Sequence, residues 1–330
     1  MVCATTPRFV SLAASVDTYT KLLALTAPVF IIIGAGVALR RVRCLTHEAD
    51  ESILKLVVNL LYPCLIFDSI LGNAGLRTQG NLVWAPLVGF VTIILGFGAA
   101  WWVGKALGLR IGTGLRTFAF AIGIYNYGYI PIPLVSALFG REELGVLLVH
   151  NVGCEAAIWT AGIFVLAGLS LREGWRKLLN APVVSLALAL LANVFRLNDR
   201  LPSFVFDAIH SLALCAVPVG LLVIGATLDE YLEEPQQLFD LRITLSACAL
   251  RLGVLPIAFL LIARALPCSI ALKHVMVVQA AMPTGMLLLV ITKRYGGQTL
   301  TAAQIIAGTT ALGLIVIPLW IQFGLRFVGG

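Results

Sequence analysis

Long apolar runs alternate with short charged clusters from one end of the chain to the other. The first run extends from about Leu22 to Leu39 and stops at Arg40, Arg41 and Arg43. Further runs follow at about Ser52–Leu71, Leu82–Leu107, Leu115–Phe139 and Leu144–Leu171. Beyond a basic connection (Arg172, Glu173, Arg176, Lys177) lie Pro182–Phe195, Phe204–Leu228, Leu241–Leu266, Ile270–Thr292 and Ala302–Phe327. A bilayer crossing needs about 20 apolar residues. Backbone donors and acceptors in hydrocarbon must be satisfied within the segment, so each run is expected to be a helix. The pattern predicts ten spans, with the sixth short for a full crossing.

Composition closes the other classes. The 330 residues are 60% hydrophobic and 12% charged, against about 25% charged in ordinary soluble domains. That balance excludes a soluble enzyme, a disordered chain and a nucleic-acid binder, and it requires the lipid bilayer as partner. The seven cysteines are scattered through apolar stretches without a CxxC, and His47-Glu48 lacks the second His of a zinc helix. They read as packing residues, and no metal or cofactor is expected. The first twenty residues, with Arg8 and Asp17, do not make a signal peptide, so the first span is expected to stay as an anchor. The net charge of +7 reflects basic residues at span ends. The odd-numbered connections carry twelve Lys/Arg and the opposite side nine, which places both termini outside the cytoplasm.

The chain also repeats itself. The second and seventh spans carry Pro63 and Pro218; the fourth carries Pro131 and Pro133, the ninth Pro283. Pro63 lies 68 residues before Pro131, and Pro218 lies 65 before Pro283. Two halves of five spans each, about 22–171 and 181–328, must enter the bilayer from opposite sides because five is odd. The expected fold is an all-α membrane protein of ten helices in two inverted repeats, forming one transporter domain.

The two proline breaks are where chemistry is expected. In Tyr125-Asn126-Tyr127-Gly128-Tyr129-Ile130-Pro131-Ile132-Pro133, each proline removes an N–H and frees the carbonyl four residues back, those of Tyr127 and Tyr129. Such a break persists only against protein or a wet cavity. The half-helix that follows points its positive end at the bilayer centre and suits an anion. Gln279-Ala280-Ala281-Met282-Pro283-Thr284-Gly285 repeats the device, with Pro283 freeing the carbonyl of Gln279. A pair of plain proline kinks is the alternative.

These segments resemble the auxin efflux carrier family of membrane transporters. Asn126 with Pro133 and Phe139-Gly140 is similar to that family's fourth span, and Ala280 to Pro283 through Tyr295-Gly296 to its ninth. Asn59-Leu60-Leu61-Tyr62-Pro63 resembles its N-terminal signature, Pro218 through Leu228 its seventh span, and Ile317-Pro318-Leu319-Trp320 the close of its tenth. The likeness covers about residues 22 to 327. It implies helices four and nine crossing at their breaks, a substrate beside the crossing, transport of organic carboxylates, and a compact bacterial-type member of the inner membrane. Two positions depart from the pattern: Pro131 stands where relatives often carry Gly, and Leu287 where many bacterial members carry Asn.

The candidate substrate-binding set is Asn126, Tyr127, Tyr129, Pro131, Pro133, Gln279, Met282, Pro283 and Thr284. Asn126 can donate two hydrogen bonds to a carboxylate, or cap the break itself. Ionisable groups inside spans are functional candidates by default, which singles out Asp68, Glu155 and Arg251 for support or coupling, with Asn59 beside them. A buried Arg251 is expected to pair with Asp68 or Glu155. Gly104 and Gly108 read as close helix packing and are compatible with a homodimer. The sequence therefore predicts an alternating-access carrier of a small organic anion, with Na+ or H+ coupling open. A sodium-coupled symporter of the bile-acid-transporter type and a non-transporting sensor are the competing readings; no nucleophile–base or metal spacing points to an enzyme.

Overall fold

A computed structural model describes residues 7–73, 76, 80–167, 180–197, 201–232 and 240–329. The basic connection at 172–177 and Cys3 lie outside the described residues, as do the side chains at 7–17, 230–232, 287, 290 and 294, so Leu287 is not placed. Helices dominate, and among the described residues the single extended feature is one isolated β-bridge.

In chain order the helices are α1 Pro7–Arg41, α2 His47–Ile70, α3 Asn81–Ala106, α4 Leu115–Gly123, α5 Pro131–Leu138 and α6 Arg141–Ala167. Then come α7 Ala181–Val194, α8 Ser203–Leu232, α9 Leu241–Ala265, α10 Ile270–Ala281, α11 Leu287–Arg294 and α12 Thr299–Val328. Among the described residues, α1, α2, α3, α6, α8, α9 and α12 are long and apolar enough to cross a membrane. Several helices start where a polar side chain caps a free amide: Asn180 Oδ1 accepts from Val183 N at 3.0 Å, and Ser269 Oγ from Leu272 N at 3.2 Å. Exposed apolar side chains such as Ile31, Val83, Phe164 and Leu214 need no cover where the surrounding medium is hydrocarbon.

Two expected spans differ from a single rod. The fourth run is split into α4 and α5 around 124–130, with Pro131 and Pro133 in the first turn of α5. The ninth is split into α10 and α11 around 282–286. The sixth run becomes the 14-residue α7, about 21 Å long at 1.5 Å per residue and shorter than a hydrocarbon core of about 30 Å.

Three long helices carry a π turn: Val57–Leu61 in α2, Ile158–Gly162 in α6 and Leu250–Val254 in α9. Two have a proline cause. Pro63 and Pro256 lack the N–H that would bond Asn59 and Leu252, so the ladder slips by one residue. The freed carbonyl of Leu252 accepts instead from Trp320 Nε1 at 2.6 Å.

The helices pack chiefly as two groups. One contains α1, α2, α7 and α8; the other contains α3, α4, α6, α9, α10 and α12. Small residues allow the closest crossings. A Cβ on Gly153 of α6 would sit 1.8 Å from the carbonyl oxygen of Pro86 in α3, and one on Gly89 2.2 Å from that of His150. Gly104 packs in the same way against Leu115 and Phe118 of its own chain, whereas Gly108 meets nothing.

Candidate functional site

The two breaks meet face to face. Asn126 N donates to Pro283 O at 2.7 Å and Gly285 N to Ile124 O at 2.8 Å, closing an antiparallel bridge between Tyr125 and Thr284. Gly285 is required there, because a Cβ would lie 2.8 Å from Tyr125 O. Each broken helix thus satisfies part of the backbone that the other has exposed.

The freed carbonyls find side chains. Gln279 Nε2 donates to Tyr127 O at 3.1 Å and to Asn151 Oδ1 at 3.2 Å. Thr284 N donates to Thr309 Oγ1 of α12 at 3.2 Å. Arg251 covers the C-terminal end of α10, with Nε 2.9 Å from Met282 O and Nη2 3.2 Å from Ala280 O and 3.4 Å from Gln279 O. At the start of α5, Pro131 and Pro133 have no N–H, Ile130 N is held by Asn126 Oδ1 at 3.4 Å, and Ile132 N by Gly128 O at 3.0 Å. The Ile130 and Ile132 amides at this helix end are therefore already bonded, and the side chains of Asn126, Tyr127 and Tyr129 reach the cavity.

A cavity of about 250 Å³ opens beside the crossing, at the seam between the two helix groups. Break residues Asn126, Tyr127 and Tyr129 form one wall, joined by Met286. Asn151, Glu155 and Trp159 of α6 form the second wall; Tyr62 of α2 and Val183 and Leu186 of α7 face them from the other group. Most of this surface is apolar or aromatic. Glu155 does not stand free: Tyr127 Oη donates to Oε1 at 2.5 Å, Trp159 Nε1 to Oε2 at 2.6 Å, and the Asn180 side chain also hydrogen-bonds it. Behind the wall, Tyr125 Oη contacts Thr92 Oγ1 at 2.9 Å and Cys154 Sγ at 3.2 Å.

Asn126, Tyr127, Tyr129 and Glu155 therefore share the cavity. Gln279, Met282, Pro283, Thr284 and Pro131 are buried in the crossing behind it, Pro133 half-buried, and none of these lines the cavity. Two support candidates are elsewhere. Asn59 is exposed and donates to Lys55 O at 2.8 Å; Asp68 faces His210 Nδ1 at 3.2 Å. The expected pairing of Arg251 with Asp68 or Glu155 is not made. Both acids have other partners, and the guanidinium bonds carbonyl oxygens through Nε and Nη2 while Nη1 has no partner; helix breaking exposes such carbonyls in numbers that an intact-helix picture does not supply. Trp159, Asn180 and Thr309 were missed by the sequence reading. Thr309-Thr310 in the middle of an apolar run was the available signal; Asn180, at the edge of a short helix, gave none.

A family model described as "Membrane transport protein" matches residues 22–172 and 168–321. The chain is similar to an uncharacterized transporter of Methanothermobacter thermautotrophicus, 24% identical over 303 residues, covering 88% of this chain and 95% of the relative. It is similar to a second uncharacterized transporter, from Methanocaldococcus jannaschii, 24% identical over 301 residues with the same coverage of 88% and 95%.

Proposed function

This chain belongs to the membrane transport protein family, the auxin efflux carriers, and on that premise we propose that it carries organic carboxylate anions across the bilayer by alternating access. The supporting observation is the position of the cavity. It lies between two helix groups and ends on the crossing of the two broken helices. A rigid-body displacement of one group against the other opens such a seam to either side in turn, which is how carriers with broken helices work. In this reading the seven long helices, α7 and the two broken pairs make ten spans in two inverted repeats. Both termini lie outside the cytoplasm of a bacterial inner membrane.

The guest is one carboxyl on an apolar body. Asn126 spends its Oδ1 on Ile130 N and has its amide nitrogen left for a carboxylate; Asn151 Nδ2 has no hydrogen-bond partner. Apolar and aromatic walls hold the remainder of the guest. Positive potential comes from Arg251, whose guanidinium carbon lies 5.0 Å from the ring centre of Tyr125, a cavity residue. An inside-negative potential of 100 mV favours exit of a monoanion by about 2.3 kcal/mol, so export needs no further driving force.

Transient currents from proteoliposomes challenged with acetate, butyrate, benzoate, malonate and malate test this reading. Benzoate and butyrate are expected to give larger currents than the two dicarboxylates. A protein that is folded and reconstituted yet gives no current with any of the five would sink the proposal.

A further inference from the structure

We infer that Arg251 is the resident cation of the crossing: its guanidinium occupies the carbonyl cluster at the end of α10, and the carrier works without a bound sodium ion. The statement about transport rests on the proposed function; the statement about occupancy does not.

The last carbonyls of a helix have no intrahelical donor and form the negative end of its dipole. In transporters with broken helices, such unwound carbonyls are where a coupling cation sits. Here the carbonyls of Gln279, Ala280 and Met282 converge on one side chain. Arg251 reaches them from the π turn Leu250–Val254 of α9. It is 0% exposed and the largest fully buried side chain in the described structure. Two rings lie beside it, with Tyr125 and Phe259 centred 5.0 Å and 5.2 Å from the guanidinium carbon. Cation–π attraction and three carbonyl dipoles replace part of the hydration that burial removes, with Nη1 left without a hydrogen-bond partner.

Among the described residues no carboxylate pairs with this guanidinium. That matters for the competing cation. Gln279 Oε1 and Thr284 Oγ1 are buried without hydrogen-bond partners, and they are the type of hard oxygen that sodium takes. A sodium ion there would approach a positive charge that no described carboxylate pairs with, and the guanidinium already holds the backbone carbonyl of that same Gln279. The Arg251 guanidinium is tethered to its own helix, so it cannot leave for solution as a sodium ion does during a transport cycle.

The test uses the full-length protein in detergent and needs no organic anion. Equilibrium binding of radioactive sodium and the thermal midpoint in sodium against choline chloride are measured on the wild type. No saturable binding and an unchanged midpoint are expected; saturable sodium binding, or a midpoint raised by sodium over choline, overturns the inference. Arg251→Ala is expected to lower the midpoint by several degrees, with partial recovery in dilute guanidinium and none in choline. Should Arg251→Ala not fold, the wild-type measurements decide alone. Arg251→Met keeps the bulk and removes the charge; benzoate counterflow at the wild-type rate in sodium-free medium by that variant also overturns it. Lack of any carboxylate current by the wild type would defeat the anion reading and leave the sodium result standing.

Discussion

The two helix breaks begin from matching sequence devices and finish with different chemistry. At 124–130 the chain runs past three tyrosines and caps itself: Asn126 Oδ1 holds Ile130 N, and the side chains of Asn126, Tyr127 and Tyr129 reach the cavity. At 282–286 the break is shorter and is held from outside, by Arg251 on its carbonyls and Thr309 on the amide of Thr284. One break opens on the cavity and the other is anchored. A proline explains why a helix opens in both places, but the neighbours decide what the opening does. α6, with Asn151 and Glu155, stands beside the first, whereas α9 and α12 close over the second.

The largest effect is expected from removing what the breaks share. Gly285→Val puts a side chain where even a Cβ would meet Tyr125 O at 2.8 Å, and it costs both pairing hydrogen bonds. The expected destabilisation exceeds about 3 kcal/mol, seen as loss of the monodisperse peak on size exclusion after mild heating. A variant as stable as the wild type would mean that the pairing is incidental to the fold.

Asn126→Ala and Thr309→Val separate the two breaks. The first should lower benzoate counterflow at least tenfold, a step of about 1.4 kcal/mol in binding terms, with a small change in thermal midpoint. The second removes the acceptor of Thr284 N and is expected to cost about 1–3 kcal/mol of stability, with counterflow per folded molecule close to wild type. If Asn126→Ala changes stability alone and Thr309→Val changes transport, the assignment of roles is reversed.

Much of this was legible in the chain. Apolar runs of helical length, and prolines 68 and 65 residues beyond Pro63 and Pro218, located the two breaks because a missing N–H acts locally. Asn126 and Tyr127 followed from lying inside the break. What periodicity could not deliver was which freed carbonyl meets which donor. Arg251 seemed to need an acid, since a buried charge usually does; in the folded chain three carbonyls from a segment 28 to 31 residues away meet that need. Nor could periodicity show how the amides at the start of α5 are bonded. The prolines that start the helix have no N–H to offer, and the two amides between and before them are bonded.

The smallest expected effects come from the acid in the cavity, and they sharpen what the exposed break is for. Glu155 takes hydrogen bonds from Tyr127 at 2.5 Å and Trp159 at 2.6 Å, so a carboxylate guest would enter beside an existing carboxylate. Glu155→Gln removes that negative charge and keeps an oxygen for one donor. Apparent benzoate affinity should improve about two- to fivefold, equivalent to about 0.4–1 kcal/mol. Tyr127→Phe tests the other partner. It leaves the ring in the wall and deletes the donor to Glu155, which concentrates charge on the acid and should weaken benzoate by about the same small factor. The double variant, measured in the same counterflow assay, should match Glu155→Gln alone, because the tyrosine hydroxyl then has no charge left to moderate. Additive changes would mean that Tyr127 touches the guest directly, and the wall of the first break would then bind through its hydroxyl as well as through Asn126.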